Sequence, residues 1–111
     1  SSIAQALNVV AIAHQTGGDL DRAESMYTEA RITAQSIGDG EALAMIDQNL
    51  GTVANIRGDV HRALAAFQRS LEGYRALGKR EQAAQVLNNI GLAYSDLGEL
   101  QKAAVAYAEA A

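Results

Sequence analysis

Apolar residues recur along the chain at spacings of three and four, the signature of helices that bury one face. From Glu41 to Arg57, residues Leu43, Ile46, Leu50, Val53 and Ala54 fall on one side. Gly58 interrupts the pattern. Asp59 follows it, where a carboxylate can accept from the free amides of a first helical turn. Val60, Ala63, Leu64, Phe67 and Leu71 give the next apolar face. That helix runs to Leu77 and stops at Gly78, which can close a helix in the left-handed conformation. The same reading predicts helices over 2–16, 19–37, 79–97 and from Glu99 to the end. The connections between them are short, which forces neighbouring helices to run antiparallel.

A repeat governs this pattern. Gly18, Gly58 and Gly98 are 40 residues apart, and Ala23, Ala63 and Ala103 follow in the same register. So do Arg22, Arg62 and Lys102, and the rings of Tyr27, Phe67 and Tyr107. Gly38 matches Gly78, Glu41 matches Glu81, Asn49 matches Asn89 and Gly51 matches Gly91. Each unit is a pair of helices. One pair cannot bury its own apolar face, so the pairs must stack into a solenoid. The fold expected is all-α, an α-solenoid of about three antiparallel helix-turn-helix units and six helices. The units cover residues 1–38, 39–78 and 79–111, and the last is cut short relative to the second. A piece of a longer array is the expectation.

Gly51 and Gly91 lie mid-helix, where glycine costs about 1 kcal/mol against alanine. A repeated cost implies a repeated need. The expectation is a close approach by the paired helix, whose Ala63 or Ala103 also lacks bulk, with the ring filling space beside each small pair.

Composition narrows the function. Hydrophobic residues make up 49% and charged residues 20%, a globular balance rather than a disordered one. Cysteine and proline are both absent, which removes disulfides and thiolate metal sites. The net charge of −4 opposes general nucleic-acid binding, which needs a basic surface to displace counterions. No apolar run approaches the roughly 18 residues of a membrane span. No signal peptide is visible, which leaves the targeting of a longer parent open, and the location expected is cytoplasmic.

The run from Asn49 to Phe67, with Leu50-Gly51, Gly58-Asp59, Ala63 and Phe67, resembles the tetratricopeptide repeat. So does Asn89 to Ala103, with Gly91, Tyr94, Gly98 and Ala103. The resemblance covers essentially the whole chain and implies a right-handed α-solenoid. The 40-residue period exceeds the commoner 34 and looks like the long-helix variant of that family. Departures are Ala11 in place of the small glycine, His14 or Ala54 where Tyr94 stands, and the missing terminal proline.

Motifs for catalysis or metals lack context. Gly73 to Arg80 imitates a phosphate-binding loop, yet a helix precedes it and Arg80 replaces the required Ser or Thr. It reads as a helix end. His14 and His61 are far apart and neither has a histidine partner at i+4, so no metal and no cofactor is expected. Asp19, Asp21, Glu24, Asp39 and Glu41 sit at helix starts, where acids meet the dipole favourably.

The resemblance implies that the first helix of each pair lines a concave groove. Away from the apolar seam those helices carry Gln5, Asn8, Ile12 and Gln15; then Met45, Gln48, Asn49, Thr52 and Asn55; then Gln85, Asn88, Asn89, Leu92 and Ser95. An amide both donates and accepts, so a ladder of amides can pair with an extended backbone whatever its side chains. Asn49 and Asn89 recur at one slot and are the strongest candidates. They can also act simply by holding neighbouring helices together. Groove cations are almost lacking, which opposes a clamp for a terminal carboxylate.

The expected function is a non-catalytic scaffold for a protein or peptide partner, not for nucleic acid or membrane. Alternatives are a regulatory or sensor segment of a larger signalling or transcription protein, or an architectural piece that self-associates through uncapped ends.

Overall fold

The computed structural model describes the backbone of residues 2–111 and the side chains of residue 6 and residues 8–111. Among these residues the chain forms six α-helices and no strand. They are α1 (Ser2–Thr16), α2 (Leu20–Ile37), α3 (Gly40–Ile56), α4 (Val60–Ala76), α5 (Arg80–Asp96) and α6 (Leu100–Ala110). The helices expected from the sequence are present, with ends displaced by one residue where a cap sits just outside the helix.

The turns share one construction. After α3, Gly58 adopts φ +82°, a conformation that costs other residues strain. Its N–H donates to Asn55 O at 3.0 Å, and the Asp59 N–H donates to Ala54 O at 2.9 Å. Two carbonyls orphaned by the helix end are thereby satisfied. Asp59 then caps α4, accepting from the Arg62 N–H at 3.3 Å. The amides of Asp19, Asp39, Lys79 and Glu99 repeat the bond of Asp59, onto His14, Ala34, Tyr74 and Tyr94. The turn inside a pair and the turn between pairs are therefore the same, and consecutive helices reverse by the same geometry. Asp19 and Asp39 cap their helices with side chains; Lys79 and Glu99 make no such bond.

Helices adjacent in sequence pack together, and α1 also touches α3. The molecule measures 39 × 31 × 18 Å. The thin dimension matches two helix layers about 8–10 Å apart plus side chains. One layer is α1, α3 and α5; the other is α2, α4 and α6. The core is rich in alanine and has two centres, Tyr27 in the first pair and Phe67 in the second.

The mid-helix glycines have a reason different from the expected one. A Cβ on Gly51 would lie 2.5 Å from Cε1 of Phe67, and one on Gly91 would lie 2.6 Å from Cε1 of Tyr107. The ring sits on the glycine itself rather than beside a pair of touching helices. Close helix contact occurs elsewhere, where a Cβ on Gly73 of α4 would be 3.0 Å from Cβ of Ala44 on α3. One turn away the buried Ser70 hydroxyl donates to Ala44 O at 2.7 Å and pins that contact.

Candidate functional site

At 100° per residue, Met45 and Thr52 lie on the opposite side of α3 from Asp47, Leu50 and Ala54. Leu50 and Ala54 face the second layer, so Met45 and Thr52 face away from it. The repeat places Ile12, Thr52 and Leu92 in one row across α1, α3 and α5. Ile12 is 42% exposed and Leu92 50%, large apolar groups left outside the core. Gln85 and Asn88 are exposed, and Met45, Gln48, Thr52, Asn89 and Ser95 are half-buried. Met45 also packs against the second core centre. Among the described residues, the side-chain amides of Gln48, Gln85, Asn88 and Asn89 make no hydrogen bond.

Other members of the expected set are engaged internally. Asn8 is 2% exposed and accepts from Nδ2 of Asn49 at 2.9 Å, which ties α1 to α3. Gln15 accepts from the Tyr27 hydroxyl at 2.8 Å. Burial pushes that phenol up to about 12. Asn55 stands at the repeat position of Gln15, but its neighbour by repeat is Phe67, which has no hydroxyl. Its buried Oδ1 has no donor. Gln5 falls outside the described side chains.

Concavities lie elsewhere too. One of about 500 Å³ is formed by α4, α5 and α6 around Leu71, Leu87, Ile90 and Val105. Another of about 650 Å³ lies by Lys79, Arg80, Ala83 and Ala110. His61 is exposed in the first turn of α4, and His14 is half-buried near the end of α1.

A charged cluster joins three helices in the middle of the array, and the sequence reading passed it over. The Asp47 carboxylate on α3 is 3% exposed, and its Oδ1 accepts from Nε of Arg31 on α2 at 2.8 Å. The same oxygen accepts from Nε of Arg69 on α4 at 3.3 Å. The signal was available: Asp47 interrupts the apolar side of α3 at a repeat position where Leu7 and Leu87 stand in the other units. Nearby, Arg57 pairs with Asp21, and Arg62 of α4 pairs with Glu24 of α2 at 3.0 Å.

The sequence profile of the tetratricopeptide repeat family matches residues 2–75 and, a second time, residues 41–111. No curated protein matches the sequence. A crystal structure of BtubC (BKLC) from P. vanneervenii is similar with a TM-score of 0.89 and 23% identity. The match covers 96% of this chain and 44% of that one, so this chain spans less than half of its length. The crystal structure of the TPR domain of Arabidopsis FLU is similar with a TM-score of 0.90 and 18% identity. It matches over 96% of this chain and 90% of that one. Likeness at these identities shows the helical-repeat fold.

Proposed function

The chain belongs to the tetratricopeptide repeat family, and from that premise we propose that it is a protein–protein interaction scaffold whose α1–α3–α5 face holds an extended peptide segment. One observation carries the reading. That face combines amides without internal partners, at Gln48, Gln85, Asn88 and Asn89, with the exposed apolar groups of Ile12 and Leu92.

Each amide presents a donor and an acceptor, so the row can pair with backbone while Ile12, Met45 and Leu92 take apolar side chains. Thr52, Asn49 and Ser95 complete the wall. Asn49 keeps its bond to Asn8 and offers its remaining polar atoms. Gln15 and Asn55 support the row from the helix ends. The helices are rigid before the partner arrives, so the ordering cost falls on the peptide. Action is by binding rather than catalysis, without a cofactor. No helix among the described residues is long and apolar enough to cross a membrane.

The test is a peptide selected from a random library on the intact chain. Its affinity is then compared for wild type and for the triple variant Gln48→Ala, Asn88→Ala, Leu92→Asp. Binding should weaken by at least about tenfold, as expected for losing two amides and an apolar anchor. The helical signal should be unchanged. Equal affinity for both proteins refutes the assignment of this face. These positions suit the test better than Asn49, whose loss would also break the tie to Asn8.

A further inference from the structure

The Arg31–Asp47–Arg69 cluster is not required for stacking the helix pairs. A shift of 40 residues carries Arg31 to Leu71, Asp47 to Leu87 and Arg69 to Glu109. The second and third pairs stack over those residues, with Leu71 and Leu87 in the core. The first gap therefore carries charge where leucine suffices. Burying Asp47 at 3% exposure costs solvation that a leucine would not.

Asp47 holds both arginines by the same atom of each. Both guanidiniums bind one oxygen, Oδ1 of Asp47, through Nε. Among the described residues their terminal η nitrogens make no hydrogen bond. Two positive charges meet one negative charge at Asp47; nearby, Arg57 pairs with Asp21 and Glu24, and Arg62 with Glu24 and with Asp59 at 3.9 Å. Arg31 and Arg69 both line a cleft of about 340 Å³ between α2 and α4, with Thr28, Leu50 and Arg62. Glu24 also lines it, held by Arg62.

We infer that this cleft is an oxyanion-binding site, in which Arg31 and Arg69 take one carboxylate or phosphate group through their free η nitrogens. Asp47 acts as the positioning residue that fixes both guanidinium planes. A preset pair of arginines binds such a group by charge-assisted, bidentate hydrogen bonds. Leu50 and Ala54 also line the cleft and offer apolar contact to a ring carried by the anion. The site is on the opposite side of α3 from Met45 and Thr52 and is independent of the peptide-binding reading.

The intact chain is titrated with phenyl phosphate and, separately, with benzoate, which share the ring and differ in the anion. The Nε–Hε resonances of its arginines are followed by ¹⁵N NMR. Saturable shifts at Arg31 and Arg69 are expected, and the probe that produces them identifies the anion as phosphate, carboxylate or either. Affinity should fall by at least about tenfold in Arg31→Gln and in the more exposed Arg69→Gln, the loss of one charge-assisted bond. It should be unchanged in Arg22→Gln, which lies outside the cleft. No saturable shift with either probe, or equal affinity in the two cleft variants and wild type, overturns the inference.

Discussion

Gly51→Ala tests the account of the core most directly. The new methyl would sit 2.5 Å from Cε1 and 2.6 Å from Cδ1 of Phe67, about 1 Å inside ordinary carbon contact of about 3.5–4.0 Å. Phe67 is 2% exposed, so its ring has no free direction in which to move. Overpacking of this kind costs about 1–3 kcal/mol, and a clash against a trapped ring belongs at the upper end. The helix gains about 1 kcal/mol from replacing glycine by alanine. The net expectation is destabilisation by about 2 kcal/mol, equivalent to a fall in Tm of roughly 8–16 °C at about 4–8 °C per kcal/mol. Thermal and urea unfolding followed by circular dichroism measures it. Gly91→Ala supplies the internal control. Its methyl would be 2.6 Å from the ring of Tyr107, but that residue is 41% exposed and can swing outward. The loss there should be less than half as large. Adding Phe67→Leu to Gly51→Ala should recover part of the loss by removing the ring edge. A Gly51→Ala chain as stable as wild type, or equal losses at Gly51 and Gly91, would refute the reasoning.

Three other outcomes follow from the same contacts. Lys79→Asp should stabilise the array by roughly 0.5–1 kcal/mol, because it gives α5 the side-chain cap that α2, α3 and α4 already have. The exposed Lys79–Glu41 pair at 3.7 Å that it removes contributes little, and the shift in urea midpoint reads the difference. The Tyr27 phenol is raised by burial to about 12, against about 10 when unfolded. Its contribution is therefore fully present below pH about 10 and is lost as pH rises through about 12. Urea midpoints at alkaline pH should fall less steeply in Tyr27→Phe than in wild type. Finally, the double variant Asn55→Gln, Phe67→Tyr recreates in the second pair the Gln15–Tyr27 bond of the first. It should exceed Phe67→Tyr alone by about 1 kcal/mol, as a double-mutant cycle will show.

The helices, their ends and their order were legible in the sequence because they depend on local chemistry. A glycine every 20 residues from Gly18 to Gly98 closes each of the first five helices, and Asp19, Asp39 and Asp59 open the next. The recurrence of Ala23, Ala63 and Ala103 with their rings fixed the pairing of helices, since one pair cannot cover its own apolar face. Tertiary structure alone decided what each polar residue on that scaffold does. Asn8 and Asn49 look equivalent to Asn88 and Asn89 in sequence, yet the first two bond to each other and the latter two make no bond among the described residues. Gln15 and Asn55 occupy one repeat slot, and the hydroxyl present on Tyr27 but missing from Phe67 separates their fates. Arg31, Asp47 and Arg69 are distant in sequence and meet only because three helices converge on one carboxylate. Periodicity specifies which side of a helix is buried. It carries no information about which neighbour's polar atom arrives there, because that depends on the stacking of separate pairs in space.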